Sequence, residues 1–175
     1  MQRILVSGTS GSGKSTLARA LGERLDLPYH ELDALHHGPG WVKRPEFEGD
    51  VDAFSSGERW VCEDQYLRFL GERLWERADR VVWLDFPRRT VMQRVVRRSV
   101  GRAITRRELW NGNREDVREW IRADHPIRWA WSTLASHRVA MPERCARHPH
   151  LQLVRLRSAA EARRWFATVR GGARY

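Results

Sequence analysis

Gly8-Thr9-Ser10-Gly11-Ser12-Gly13-Lys14-Ser15-Thr16 decides how this chain is read. The stretch follows the apolar run Ile4-Leu5-Val6 and precedes a helical spacing at Leu17, Leu21 and Leu25. Strand, glycine-rich turn and helix in that order make a phosphate-binding loop of the pattern G-x-x-x-x-G-K-[ST]. Its glycines let the backbone wrap around an anion and come close to it. The wrapped N–H groups and the positive end of the helix then hold phosphates. Lys14 reaches the terminal phosphates, and the Ser15 hydroxyl is placed to ligate Mg²⁺. Of 32 basic residues only Lys14 and Lys43 are lysines. A compact ammonium is kept at the loop, where a planar guanidinium would not fit between phosphates. The expected ligands are ATP, or another nucleoside triphosphate, and Mg²⁺.

With 175 residues, 41% of them hydrophobic and 31% charged, the chain reads as one soluble globular domain spanning 1–175. No apolar run approaches the ~20 residues of a membrane span. Met1-Gln2-Arg3 runs straight into the first strand, so no signal peptide is expected. Cys62 and Cys145 are too few for a disulfide framework, and a reducing cytoplasm is the expected compartment. The net charge of +10 admits a nucleic-acid partner. It is equally read as arginine in place of lysine, or as arginines serving phosphates in one site. The arginines form no polybasic tail, which disfavours nucleic acid.

Strand and helix patterns alternate, as in a parallel sheet covered on both faces. The expected strands are Arg3–Ser7, Tyr29–Leu32, Trp60–Cys62, Arg80–Asp85 and Leu151–Leu156, with a helix over Gly13–Asp26 ended by Pro28. Residues 33–57, punctuated by Gly38-Pro39-Gly40, Pro45 and Gly49, read as an irregular insert. Arg89–Arg98 reads as a helix, and residues 99–124 as a charged, turn-rich segment around Asn111-Gly112-Asn113. Pro126 opens a further helix, and Ser158-Ala159-Ala160-Glu161 is a capping box starting the last one.

Ligands of open α/β sheets bind outside the carboxyl ends of the strands. Asp33, Glu63, Asp64 and Asp85 fall there. Phosphoryl transfer needs a carboxylate behind the metal and another that orients or deprotonates the acceptor. Glu63 fits the first role, with Asp64 close behind, and Asp33 the second; Asp85, before Phe86-Pro87, reads as a structural cap. Arg94, Arg98, Arg102 and Arg106 recur every four residues. Such like charges repel in water unless an anion faces them, so at least two of the four are expected to touch nucleotide, with Arg98, Arg102 and Arg106 as candidates to neutralise the transferring phosphoryl group and the rest read as solvated. His36 and His37 make a poor zinc site; His36 is either a surface-loop residue or an acceptor contact. Trp41 and Trp110 either stack on a ring or pack a hinge.

With these residues placed, the chain resembles the adenylate-kinase-like P-loop kinases over its full length. It is most similar to the small bacterial group labelled DNA topology modulation proteins, through ELDALHHGPGW (Glu31–Trp41), RELWNGNRE (Arg107–Glu115) and HPIRWAW (His125–Trp131). Asp85, Pro87, Arg94 and Arg98 are similar to a nucleoside monophosphate kinase pattern in which two arginines approach ATP. Asp33-Ala34-Leu35-His36 is similar to the acceptor-site aspartate of gluconate and shikimate kinases. The resemblance implies a three-layer P-loop NTPase fold, with a five-stranded parallel sheet and helices on both faces. It makes 33–57 an acceptor-binding insert and 99–124 an arginine-rich lid. The chain would then transfer the γ-phosphate of ATP to a small nucleotide, nucleoside or sugar acid. Third-strand residues Trp60-Val61-Cys62-Glu63-Asp64-Gln65-Tyr66 depart from the group's W-V-x-D-G-N-Y by a longer carboxylate and an aspartate in place of glycine. No D-G-x-P-R run of true adenylate kinases is present. Two rival readings are a nucleic-acid-linked protein (a polynucleotide kinase or DNA-binding ATPase) and a slow regulatory NTPase.

Overall fold

The first strand is apolar on both sides because both its faces are covered. Ile4 and Val6 join one core with Leu21, Val82 and Val95; Leu5, between them, joins a second with Trp60, Phe47 and Trp75. A strand's side chains alternate faces, so a near-continuous apolar run signals a layer on each side. The computed structural model describes residues 2–105, residue 111 and residues 126–170. Arg106, Trp110 and most of the expected lid lie outside the described residues, as do the side chains of Arg102 and Trp129.

Five parallel strands, β1 (Gln2–Ser7), β2 (Tyr29–His30), β3 (Arg59–Glu63), β4 (Arg80–Leu84) and β5 (Gln152–Leu156), pair in the order β2-β3-β1-β4-β5. Helices α1 (Lys14–Leu25), α6 (Arg88–Thr105) and α8 (Ala159–Thr168) contribute to the first core. On the other face lie α2 (Leu32–His36), α3 (Phe47–Ser55), α4 (Leu67–Leu70) and α5 (Arg73–Arg77), while α7 (Pro126–Arg147) contributes to both cores, Leu134 to the first and Met141 to the second. Among the described residues no helix is long and apolar enough to cross a membrane.

Several sequence expectations are corrected. β2 stops at His30, because the Leu32 N–H turns away to donate to the Glu63 carboxylate at 3.3 Å, and Leu32 starts α2 instead. Residues 33–57 are ordered secondary structure: most of α2, a 3-10 turn at Pro39–Trp41, an antiparallel bridge between His37 and Lys43, and α3. Phe47, Val51 and Ser55 form the buried stripe of α3. The helix expected to end at Arg98 continues to Thr105, so the first part of the expected turn-rich segment is helical. Asp85 caps nothing. It is buried and receives Arg138 of α7 at 2.6 Å and Arg155 of β5 at 2.6 Å, tying both elements to the end of β4. At α8, Ser158 accepts from the Glu161 N–H at 3.1 Å, but the Glu161 carboxylate reaches one residue further back than a capping box requires, to the Arg157 N–H.

Candidate functional site

The loop after β1 is shaped as an anion cradle. Gly8, Gly11 and Gly13 all have positive φ, at 151°, 79° and 96°. At Gly8 a Cβ would stand 2.7 Å from Ser12 Oγ and 3.0 Å from the Leu84 carbonyl, so only glycine closes the turn. Gly13 precedes the first turn of α1, and no side chain caps that turn, leaving its N–H groups and the helix dipole directed at the loop. Ser12 Oγ is buried and has no hydrogen-bond partner, an orphaned group of the kind a bound anion or its water satisfies. These features fit a polyphosphate.

Lys14 opens α1 and donates back to the Thr9 carbonyl at 3.3 Å. Burial lowers its pKa; Asp33, Glu63 and Asp64 oppose that shift, and Arg98 adds to it. The ammonium, the three carboxylates and the Arg98 guanidinium therefore share one electrostatic site. Arg94 and Arg98 project from α6 onto the loop, Arg94 to the Ser12 carbonyl at 2.9 Å and Arg98 to Ser10 Oγ at 3.0 Å.

Strand alternation separates the two adjacent acids. Glu63 shares its side of β3 with Val61, which packs in the first core together with α1. There it accepts from the Tyr29 hydroxyl at 2.6 Å and from the Leu32 N–H at 3.3 Å, with Ser15 close by. Burial raises its pKa against the pull of Tyr29, Ser15 and the Leu32 N–H. Asp64 turns to the other face, where Ser7 Oγ (2.7 Å), Trp75 Nε1 (3.0 Å) and Arg144 (3.3 Å) occupy its oxygens. Glu63 is thus the acid beside Ser15, and Asp64 joins β1, α5 and α7. Among the described residues no three His, Cys, Asp or Glu side chains cluster as a metal site. The Ser15–Glu63 pair fits a Mg²⁺ whose remaining ligands are phosphate oxygens and water.

Asp33 sits on α2 and accepts a 2.6 Å hydrogen bond from the Tyr66 hydroxyl, whose oxygen also lies 3.0 Å from His37 Nε2. Tyr66 holds a left-handed backbone, φ 59°, which a bulky residue adopts at a cost and which clusters at functional sites. Sequence spacing gave no sign of Tyr66, because the contact spans 33 residues and depends on that backbone conformation. His36 is not a surface residue: it is buried, stacked on Tyr66 at 4.1 Å and edge-on to Phe47. Ser7, His137 and Arg144 were likewise not foreseen; His137 Nε2 lies 3.3 Å from Ser7 Oγ, and burial lowers its pKa. A cavity of about 540 Å³ opens beside the loop between α6 and α8, lined by Gly11, Leu17, Phe86, Arg94, Arg163 and Phe166 among others.

Among solved structures the chain is similar to shikimate kinase from Acinetobacter baumannii in complex with shikimate, at TM-score 0.58 and 17% identity over 95% of this chain and 89% of that one. The chain has the shikimate kinase fold. Shikimate kinase from Bacteroides thetaiotaomicron matches at TM-score 0.53 and 13% identity, over 95% of this chain and 94% of that one. A sugar kinase from Janibacter sp. HTCC2649, in an unliganded structure, matches at 0.50 and 20%, over 95% and 93%. No family model matches the chain, and no curated protein matches it by sequence.

Proposed function

We propose that the chain is a single-domain cytoplasmic kinase, moving the γ-phosphate of ATP to a hydroxyl of a small molecule. One observation carries the reading: three positive-φ glycines, the uncapped start of α1 and the orphaned Ser12 Oγ form an anion cradle around Lys14, and Arg94 and Arg98 of α6 reach onto it. Asp33 on the insert is among the carboxylates acting on that ammonium, so donor and acceptor ends of a transfer would meet there.

In this reading residues 8–16 hold the triphosphate, and the cavity beside Phe86 and Phe166 takes the base. Bound Mg²⁺ would neutralise phosphate charge, with Ser15 and Glu63 holding it. Lys14, with Arg98 and the lid residues Arg102 and Arg106, stabilises charge on the moving phosphoryl group. Asp33 orients the acceptor hydroxyl and takes its proton, and Tyr66 keeps one Asp33 oxygen in place. Kinship with the DNA topology modulation group belongs to the same proposal and rests on the stretches around Glu31–Trp41 and Arg107–Glu115.

A screen of metabolites and nucleosides with labelled ATP tests the reading. Asp33→Asn should keep ATP binding, measured by calorimetry, and lower transfer roughly 10²-fold or more. Full transfer by that variant would refute Asp33's role, and ATP binding unaffected by changes to residues 8–16 would refute the whole reading.

A further inference from the structure

The insert that would meet the acceptor is chemically unlike the rest of the chain. Against a net charge of +10 overall, residues 33–57 carry five carboxylates (Asp33, Glu46, Glu48, Asp50, Asp52) and two cations, Lys43 and Arg44. Both cations are engaged. Lys43 binds Glu48 at 2.6 Å and lies over the Phe69 ring, and Arg44 binds Asp50 at 3.3 Å and the Leu35 carbonyl. The guanidiniums packed against α3 from α5 are spent in the same way: Arg73 and Arg77 each bind Asp52 at 2.9 Å.

The two histidines supply no positive charge either, as their hydrogen bonds show. His36 Nε2 is buried with no partner. A buried N–H without an acceptor is the costlier orphan, so the His36 proton resides on Nδ1 and points at His37 Nδ1, 3.4 Å away. His37 then carries its proton on Nε2 and donates it to the Tyr66 oxygen, leaving the Tyr66 proton for Asp33. The Asp33 oxygen that accepts from Tyr66 thus sets the direction of the whole column, which gives each imidazole a single proton. Burial, the neighbouring His37 and Lys43 push the His36 pKa down to about 4, in keeping with that assignment.

Among the described residues, what remains on residues 33–57 is the Asp33 carboxylate and aromatic surface; a further guanidinium, Arg68 of α4, lies over the Phe69 ring at 5.7 Å, outside the insert. Trp41 stands edge-on to His37 and, like Tyr66, holds a positive φ, here 62°. Asn111 donates its side-chain amide to the His37 carbonyl, bringing a residue of the expected lid to the same place.

We propose that the phosphate acceptor is uncharged where it meets residues 33–57: a neutral hydroxylated ring such as a nucleoside or an unoxidised sugar, not a nucleotide or a sugar acid. The proposal rests on the small-molecule kinase reading. An anionic acceptor would find no unspent cation among residues 33–57 and would face Asp33, whereas an apolar ring face can lie on indole and phenol, and a hydroxyl can donate to Asp33.

The test uses the full chain with MgATP and acceptor pairs differing in one anionic group: adenosine against AMP, and glucose against gluconate. The uncharged member of at least one pair should be phosphorylated with kcat/KM tenfold or more above its partner. Equal or better transfer to AMP or gluconate overturns the inference while leaving the kinase reading intact, and transfer to no uncharged member overturns it too. Failure to bind a non-hydrolysable ATP analogue in calorimetry is instead a failure of the kinase reading. A second measurement needs no acceptor: ¹⁵N imidazole shifts at pH 7, assigned with His36→Gln and His37→Gln, should show Nδ1–H at His36 and Nε2–H at His37. An imidazolium at either position overturns the inference.

Discussion

Gly11 and Val95 share one space. A Cβ on Gly11 would run into Val95 Cγ2 and come within 3.0 Å of the Val91 carbonyl, on a backbone with φ 79°. The phosphate cradle is thereby keyed to α6, the helix that carries Arg94 and Arg98.

Gly11→Ala should therefore cost about 2–3 kcal/mol, from overpacking together with a conformation alanine resists. Gly49→Ala, inside α3 with nothing within 4 Å of the new methyl, should instead gain about 0.5–1 kcal/mol. Urea denaturation of both variants checks the opposite signs.

Lys14→Met should lower MgATP turnover roughly 10²–10³-fold, the scale of losing one preorganised charge on a transferring group. Its melting temperature should match or exceed that of the parent, because burial already disfavours the charged amine. Turnover within threefold of the parent would remove Lys14 from the mechanism.

Glu72 provides a pH test. His148 Nε2 at 2.5 Å, Arg144 at 3.1 Å and Arg147 at 3.1 Å surround its carboxylate. Burial pulls its pKa upward, but these partners win and hold it below the ordinary value. A carboxyl whose pKa is depressed on folding binds fewer protons folded than unfolded, so its contribution is present above the unfolded pKa, near 4.3, and fades as pH falls through the folded one. Glu72→Gln should lose about 1–2 kcal/mol at pH 7 and show a shallower loss of stability below pH 5 than the parent. Denaturant midpoints measured across pH 3–7 read both effects.

Ser158→Ala should destabilise by about 1 kcal/mol through the lost cap on α8. Glu161→Ala should cost less, since its carboxylate serves an exposed N–H outside the helix. Thermal denaturation orders the two.

The strands were legible because the sheet buries both faces, so Ile4–Val6 and Val81–Leu84 had to be apolar throughout. α3 was hidden by Gly38, Gly40, Pro45 and Gly49, whose punctuation masks the spacing of Phe47 and Val51. The one-turn helices α4 and α5 are too short to show a period. At the site, the loop carries its own pattern, whereas the choice between Glu63 and Asp64 depends on which face of β3 looks toward α1. Tyr66 needed the fold itself, since its partners Asp33 and His37 are distant in sequence and its backbone conformation has no residue signature.

The scarcity of lysine has a practical consequence. An acylating reagent meets two ε-amines in the entire sequence, and Lys43 is tied to Glu48. Peptides cut at arginine separate the two lysines, so mass spectrometry of the acylated protein reads Lys14 apart from Lys43, and a ligand filling the cradle will shield Lys14 from the label.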